Sequence, residues 1–106
     1  MPLIEDDIYG DIFFREERPK PFMALRPSGN ILYCCSFSKT LAPGYRIGWI
    51  APGRYMQRIL QRKFALTLCG PALPRVAMAE FLSSGGYDSH LRRVRRTFAN
   101  NIDQML

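Results

Sequence analysis

Three short, nearly continuous apolar runs constrain this chain more than any other feature: Pro2-Leu3-Ile4, Ile31 to Phe37 (ILYCCSF) and Arg46 to Ala51 (RIGWIA). They do not alternate between apolar and polar residues. Strands that read this way are buried on both faces, and they belong to mostly parallel sheets covered by helices on both sides. The first run ends in Glu5-Asp6-Asp7, which puts acids at the C-terminal end of a strand. The third is closed by Pro52-Gly53. Between the first two, Arg15 to about Pro27 reads as a charged, proline-bearing surface loop, and Ser28-Gly29-Asn30 as a turn. Tyr9 to Phe14 is apolar but too short to assign a state.

After Gly53 the period changes. Met56, Ile59, Leu60 and Phe64 fall at helical spacing, with Arg54, Arg58 and Arg62 on the opposite side. A second helix is expected over about Leu73 to Leu82, burying Val76, Ala79 and Leu82, and Ser83-Ser84-Gly85-Gly86 stops it. A third, capped by Asp88, carries Leu91, Val94, Phe98, Ile102 and Met105 on one face and is still running at Leu106. Three doubly buried strands need more helices than these to cover them, so the chain reads as a fragment of a larger α/β fold.

The remaining composition mostly excludes. At 106 residues, 47% hydrophobic and 23% charged, the chain is neither disordered nor collagen-like and holds one domain at most. No run approaches the roughly 18 apolar residues of a membrane helix. No basic segment followed by an apolar stretch marks a secretory signal, which points to the cytoplasm. Cys34, Cys35 and Cys69 form no disulfide framework, and with His90 the only histidine no zinc spacing exists. Cys34, Cys35, Trp49 and the five methionines read as packing, Glu16 and Glu17 as loop solvation, and His90 as an exposed residue of a helix's first turn. The net charge of +6 comes from clusters at Arg54 to Lys63 and Arg92 to Arg96. Neither cluster is interleaved with aromatics, so both read as solvated helix faces rather than a nucleic-acid surface.

The loop between the second and third runs carries the chemistry: Ser36-Phe37-Ser38-Lys39-Thr40-Leu41-Ala42-Pro43-Gly44-Tyr45-Arg46. A lysine just past a buried strand is either an ordinary solvated loop residue or a Schiff-base lysine. Ser36, Ser38 and Thr40 offer hydroxyls and Arg46 a forked cation, a set suited to a phosphate. The spacing does not match the Gly-x4-Gly-Lys-Ser/Thr loop of nucleotide triphosphate binders. Ligands of open α/β sheets sit at strand ends, so Asp6 and Lys39 can face one cofactor. Pyridoxal phosphate needs that pair: a lysine for the imine and a carboxylate to keep the ring nitrogen protonated.

On Asp6-Asp7-Ile8-Tyr9 and on Ser36-Phe37-Ser38-Lys39 through Arg46, with 33 residues from Asp6 to Lys39, the chain resembles the fold-type-I pyridoxal-phosphate enzymes of the class I/II aminotransferase family. The form SKTLAPGYRIGW is most similar to the branch holding MocR-type regulators and aminoadipate-type aminotransferases. The resemblance implies an α/β fold, the C-terminal part of a mostly parallel, three-layer large domain, three strands and then helices. Residues 1–86 would be part of that cofactor-binding domain, and residues 87–106 the start of a helix leading to a C-terminal small domain. It implies pyridoxal 5'-phosphate as cofactor. Lys39 would form the imine and shuttle the proton at the substrate's α carbon. Asp6, with Asp7 as its rival, would hold the pyridine nitrogen, and Tyr9 the ring hydroxyl. Ser36, Arg46 and, more weakly, Ser38 would hold the phosphate. Transamination between an amino acid and a 2-oxo acid is the implied reaction, in a homodimer. The alternative is an amine- or amino-acid-sensing domain of a MocR-type regulator, reaching DNA through an N-terminal winged helix. The isolated chain, lacking the other site residues, is expected to be inactive.

Overall fold

A computed structural model describes residues 1–14, 16–27 and 29–106. Arg15 and Ser28, which belong to the expected loop and turn, lie outside the described residues. Strands β1 (Leu3–Asp6), β2 (Ile31–Ser36) and β3 (Gly48–Ala51) form one sheet in the order β1-β2-β3. β1 runs parallel to β2, with Leu3 opposite Ile31 and Asp6 opposite Cys34. β3 is antiparallel to β2, with Tyr33 opposite Ala51 and Ser36 opposite Gly48. A Cβ at position 48 would lie 2.5 Å from the Cys35 carbonyl oxygen, so only glycine allows the two strands to close at that end.

The strands do not coincide with the apolar runs. β1 continues through Glu5 and Asp6, because pairing with β2 is set by backbone hydrogen bonds and not by side-chain polarity. β3 begins at Gly48 rather than Arg46, because Arg46 takes the left-handed conformation at φ 52°. The loop before β2 holds a short helix α1 (Phe22–Leu25) that a proline-rich sequence hides. It is started by Glu5, whose carboxylate accepts from the backbone N–H groups of Phe22 at 2.6 Å and Met23 at 2.9 Å. Tyr9 to Phe14, which no periodicity assigns, is a turn through Asp11 followed by irregular chain.

Three longer helices follow: α2 (Met56–Thr67), α3 (Ala72–Ser83) and α4 (Gly86–Met105). α4 starts two residues before Asp88, so Asp88 sits in its first turn and not at the cap. A carboxylate there still complements the helix dipole. The cap is Gly85, left-handed at φ 73°, which ends α3 and starts α4 with almost no linker.

The core is small: Ile31, Tyr33, Met78 and Leu91, with Pro52 and Thr40 also buried. Several expected faces are bare. Met56, Leu60 and Phe64 of α2 are exposed, and Val76 and Leu82 of α3 face outward while Met78 is the residue that packs. Of the methionines, Met1, Met56 and Met105 are exposed and only Met78 is core. Cys34 and Cys35 are half-buried, and Trp49 packs against Tyr33 with the ring centres 5.2 Å apart and the planes tilted by 49°, and is itself exposed. No helix among the described residues is long and apolar enough to cross a membrane.

Candidate functional site

Parallel pairing brings the C-terminal ends of β1 and β2 to one edge of the sheet. Asp6 stands there opposite Cys34, two residues before Ser36. Its side chain makes no hydrogen bond or ion pair among the described residues, and it is exposed. Asp7 has a different environment. Its carboxylate meets Arg18 Nη2 at 2.6 Å and accepts from the Tyr33 hydroxyl. Arg18 also reaches Asp11 Oδ1 at 3.1 Å and donates to the Gly10 carbonyl at 3.1 Å. Burial works against the Arg18 charge, but the Tyr33 hydroxyl and the Asp7 and Asp11 carboxylates outweigh it and hold its pKa above the ordinary value. Burial, then the bond to Asp7, pushes the Tyr33 phenol up. The two adjacent acids are thus divided, Asp7 locked in a structural ion pair and Asp6 at the strand end without a partner among the described residues.

After β2 the chain turns sharply. The amides of Leu41 and Ala42 both donate to the Phe37 carbonyl, at 2.9 and 3.1 Å. Lys39 sits at the exposed crest of this turn, with Nζ 5.9 Å from the centre of the Tyr9 ring. Tyr9 and Lys39, 30 residues apart in sequence, therefore share one space.

Beside them lies a cluster of donors. The Ser38 backbone N–H donates to Ser36 Oγ at 3.1 Å, and the two hydroxyls are 3.1 Å apart. Arg46 Nη1 approaches Ser38 Oγ at 3.5 Å. What brings Arg46 there is its left-handed backbone, entered from the short 3-10 turn Pro43–Tyr45. That conformation costs a non-glycine residue about 1–2 kcal/mol, and such strain persists where the surroundings impose it. Two hydroxyls and one forked cation on a single turn form a donor set matched to a tetrahedral oxyanion.

Two residues of this region depart from their sequence reading: Thr40, grouped there with the hydroxyls suited to a phosphate, has its hydroxyl 2.9 Å from that of Tyr87 instead, and His90 is not exposed. Thr40 is buried, at 4% exposure. His90, expected at the surface, is half-buried, and its Nε2 lies 2.8 Å from the Thr40 carbonyl. The signal was in the helix spacing: Tyr87, His90, Leu91 and Val94 share one face of α4, and Leu91 is core. Burial pushes the Cys34 and Cys35 thiols up, so neither has the character of a reactive thiolate.

No protein-family model matches the chain. Among curated proteins it is 42% identical over 99 residues to the uncharacterized HTH-type transcriptional regulator YdcR of Escherichia coli (strain K12), covering 93% of this chain. It is 45% identical over 104 residues to the uncharacterized HTH-type transcriptional regulator YisV of Bacillus subtilis (strain 168), covering 97%. The chain spans only about a fifth of the length of these relatives, 21% and 22%. Among solved structures it superposes on LysN, the alpha-aminoadipate aminotransferase of Thermus thermophilus complexed with N-(5'-phosphopyridoxyl)-L-leucine. There the TM-score is 0.84 and the identity 31%, over 91% of this chain and 25% of that one. On the multiple substrate aminotransferase of Thermococcus profundus the TM-score is 0.90 at 26% identity, over 98% of this chain and 26% of that one. In sequence and fold alike, the chain belongs to the fold-type-I pyridoxal-phosphate-dependent aminotransferase family, on the branch shared by MocR-type regulators and aminoadipate-type aminotransferases.

Proposed function

We propose that this chain supplies the lysine-bearing part of a pyridoxal 5'-phosphate site in an aminotransferase-type domain that moves an amino group from an amino acid to a 2-oxo acid. The observation that carries this reading is the gathering of Lys39, Tyr9 and the Ser36–Ser38–Arg46 donors beyond the C-terminal end of β2, with Asp6 at the end of the neighbouring β1, opposite Cys34. The donor set fits the group: hydroxyls and a guanidinium for a phosphate, an amine for an aldehyde, an exposed carboxylate at a strand end for a ring nitrogen. When bound, the cofactor supplies an electron sink for the carbanion formed at the substrate's α carbon.

Each residue then has a task. Lys39 holds the cofactor covalently and moves the proton at the α carbon. Asp6 keeps the proton on the ring nitrogen, where its negative charge favours the cationic ring. Tyr9 donates its hydroxyl proton to the ring oxygen. Ser36, Ser38 and Arg46 fix the phosphate. Residues 1–86 form part of the large domain, and the helix from 87 to 106 leads toward a small one, in a homodimeric, cytoplasmic protein.

A second reading is favoured by the identities, 42% and 45% to HTH-type regulators against 31% and 26% to aminotransferases. On it, the same site senses an amine or amino acid and passes the signal to an N-terminal DNA-binding domain. The full-length gene product decides. Keto-acid release from an amino acid panel that depends on Lys39 establishes the transferase. Amino-acid-dependent DNA binding without turnover establishes the sensor. Neither activity, in a protein that binds the cofactor, would overturn both.

Arg46→Lys tests the phosphate assignment. A point ammonium retains the charge and loses the fork, so affinity for pyridoxal 5'-phosphate should fall about tenfold, the size of one charge-assisted hydrogen bond. Equilibrium dialysis measures it, and equal affinity would place Arg46 outside the phosphate cup.

A further inference from the structure

Lys39 is the exposed crest of a turn, yet the residue after it is buried and held from two directions by α4. The Tyr87 hydroxyl lies 2.9 Å from Thr40 Oγ1 and 3.1 Å from Asp11 Oδ2. It has one proton to give. The carboxylate can only accept, so Tyr87 donates to Asp11 and takes the Thr40 proton. Burial pushes the Tyr87 phenol up to about 12, so the hydroxyl keeps its proton through the neutral range. His90 Nε2, at 2.8 Å from the Thr40 carbonyl, faces a group that only accepts, so Nε2 carries the proton. Its Nδ1 is then free to accept from Arg93 Nη2 at 3.3 Å. One helix thus grips both the side chain and the main chain of Thr40. The same helix grips the turn after β1, where Arg95 Nε donates to the Asp11 carbonyl at 2.7 Å and its guanidinium stacks 4.0 Å over Phe13.

We propose that Tyr87 and His90 are positioning residues for Lys39, acting through Thr40. The proposal rests on Lys39 being the cofactor lysine. A lysine on a four-carbon stem is mobile, and a proton is moved efficiently only from a fixed position, to within a fraction of an ångström. The stem of Lys39 starts from a backbone whose next residue cannot shift without breaking two bonds to α4. Displacement of α4 is therefore displacement of Lys39. Because Asp11 links Tyr87 to Arg18, and Arg18 to Asp7, the same helix also steadies the strand end that carries Asp6.

The test uses the full-length gene product with Tyr87→Phe, His90→Ala and His90→Gln. Tyr87→Phe removes one oxygen and keeps the ring edge-on to Phe37 at 5.4 Å, so packing is retained. Gln carries an N–H near the place of Nε2 and should still donate to Thr40. Without cofactor, amide hydrogen exchange at Leu41 and Ala42 should rise about tenfold in Tyr87→Phe and His90→Ala, the effect of one hydrogen bond on local opening. With pyridoxal 5'-phosphate bound, visible circular dichroism should weaken in both variants while absorbance stays, because the chromophore has lost its fixed orientation. His90→Gln should restore both readouts. Unchanged exchange and dichroism in Tyr87→Phe and His90→Ala, or a His90→Gln protein as loose as His90→Ala, would overturn the proposal. Lys39→Ala separates the two levels. If the visible band survives that change, the cofactor reading fails and the proposal with it. If the band is lost in Lys39→Ala while exchange and dichroism are unchanged in Tyr87→Phe and His90→Ala, positioning alone fails.

Discussion

Lys39→Ala should abolish covalent attachment of pyridoxal 5'-phosphate and lower amino-group transfer by at least the 10²–10⁴-fold that a positioned general base contributes, roughly the range seen for proton transfer by side chains. The fold should survive. Lys39 is exposed, and among the described residues its side chain makes only the 5.9 Å approach to the Tyr9 ring. The turn beneath it is closed by backbone bonds from Leu41 and Ala42 to Phe37 that a truncated side chain leaves intact. Thermal unfolding within a degree or two of the unaltered protein, with transfer lost, is the expected pair of results. Retained transfer would remove Lys39 from the chemistry.

The second large effect belongs to the acids. Asp6→Asn keeps the shape of the strand end and removes the charge. A close opposite charge shifts a pKa by about one to three units, and each unit is worth about 1.4 kcal/mol. The rate of proton movement at the substrate's α carbon should therefore fall roughly 10- to 1,000-fold, with cofactor affinity changed much less. Asp7→Asn should behave in the opposite way. It breaks the 2.6 Å ion pair to Arg18 and weakens the bond to Tyr33, so it should destabilise the protein by about 1–3 kcal/mol and leave the chemistry nearly untouched. Stopped-flow absorbance with a deuterated amino acid, beside a denaturant titration, measures both. If Asp7→Asn slows proton movement and Asp6→Asn does not, the acids are assigned the wrong way round.

Which parts of this were legible in the sequence follows from how far apart the interacting residues are. The central strand was readable because Ile31 to Phe37 is a single apolar run, but its expected burial on both faces is not what the fold gives: only Ile31 and Tyr33 of β2 are buried, and Leu3 and Ile4 of β1 are exposed. The donor turn was readable because Ser36, Ser38, Lys39 and Arg46 lie within eleven residues, close enough for one loop to hold them. The Asp7–Arg18 pair spans eleven residues of a loop without periodicity, and nothing local marks it. Contacts of His90 and Tyr87 with Thr40 span 50 and 47 residues and join elements whose relative placement only the fold decides. Periodicity located the apolar face of α2 and not what covers it: Phe64 and Leu60 are apolar at the right spacing and remain exposed. The choice of Met78 over Val76 on α3 was hidden for the same reason, since a helix with apolar residues on several sides does not say which side packs.

The central claim is that Lys39 is the residue that holds the cofactor, and one measurement reaches it directly. The full-length gene product is incubated with pyridoxal 5'-phosphate, reduced with borohydride, digested, and mapped by mass spectrometry. The account predicts the phosphopyridoxyl label at Lys39 in near-stoichiometric yield, with Lys20 and Lys63 unlabelled. Label confined to another lysine, or an unlabelled Lys39 in a protein that retains the visible band, would contradict it.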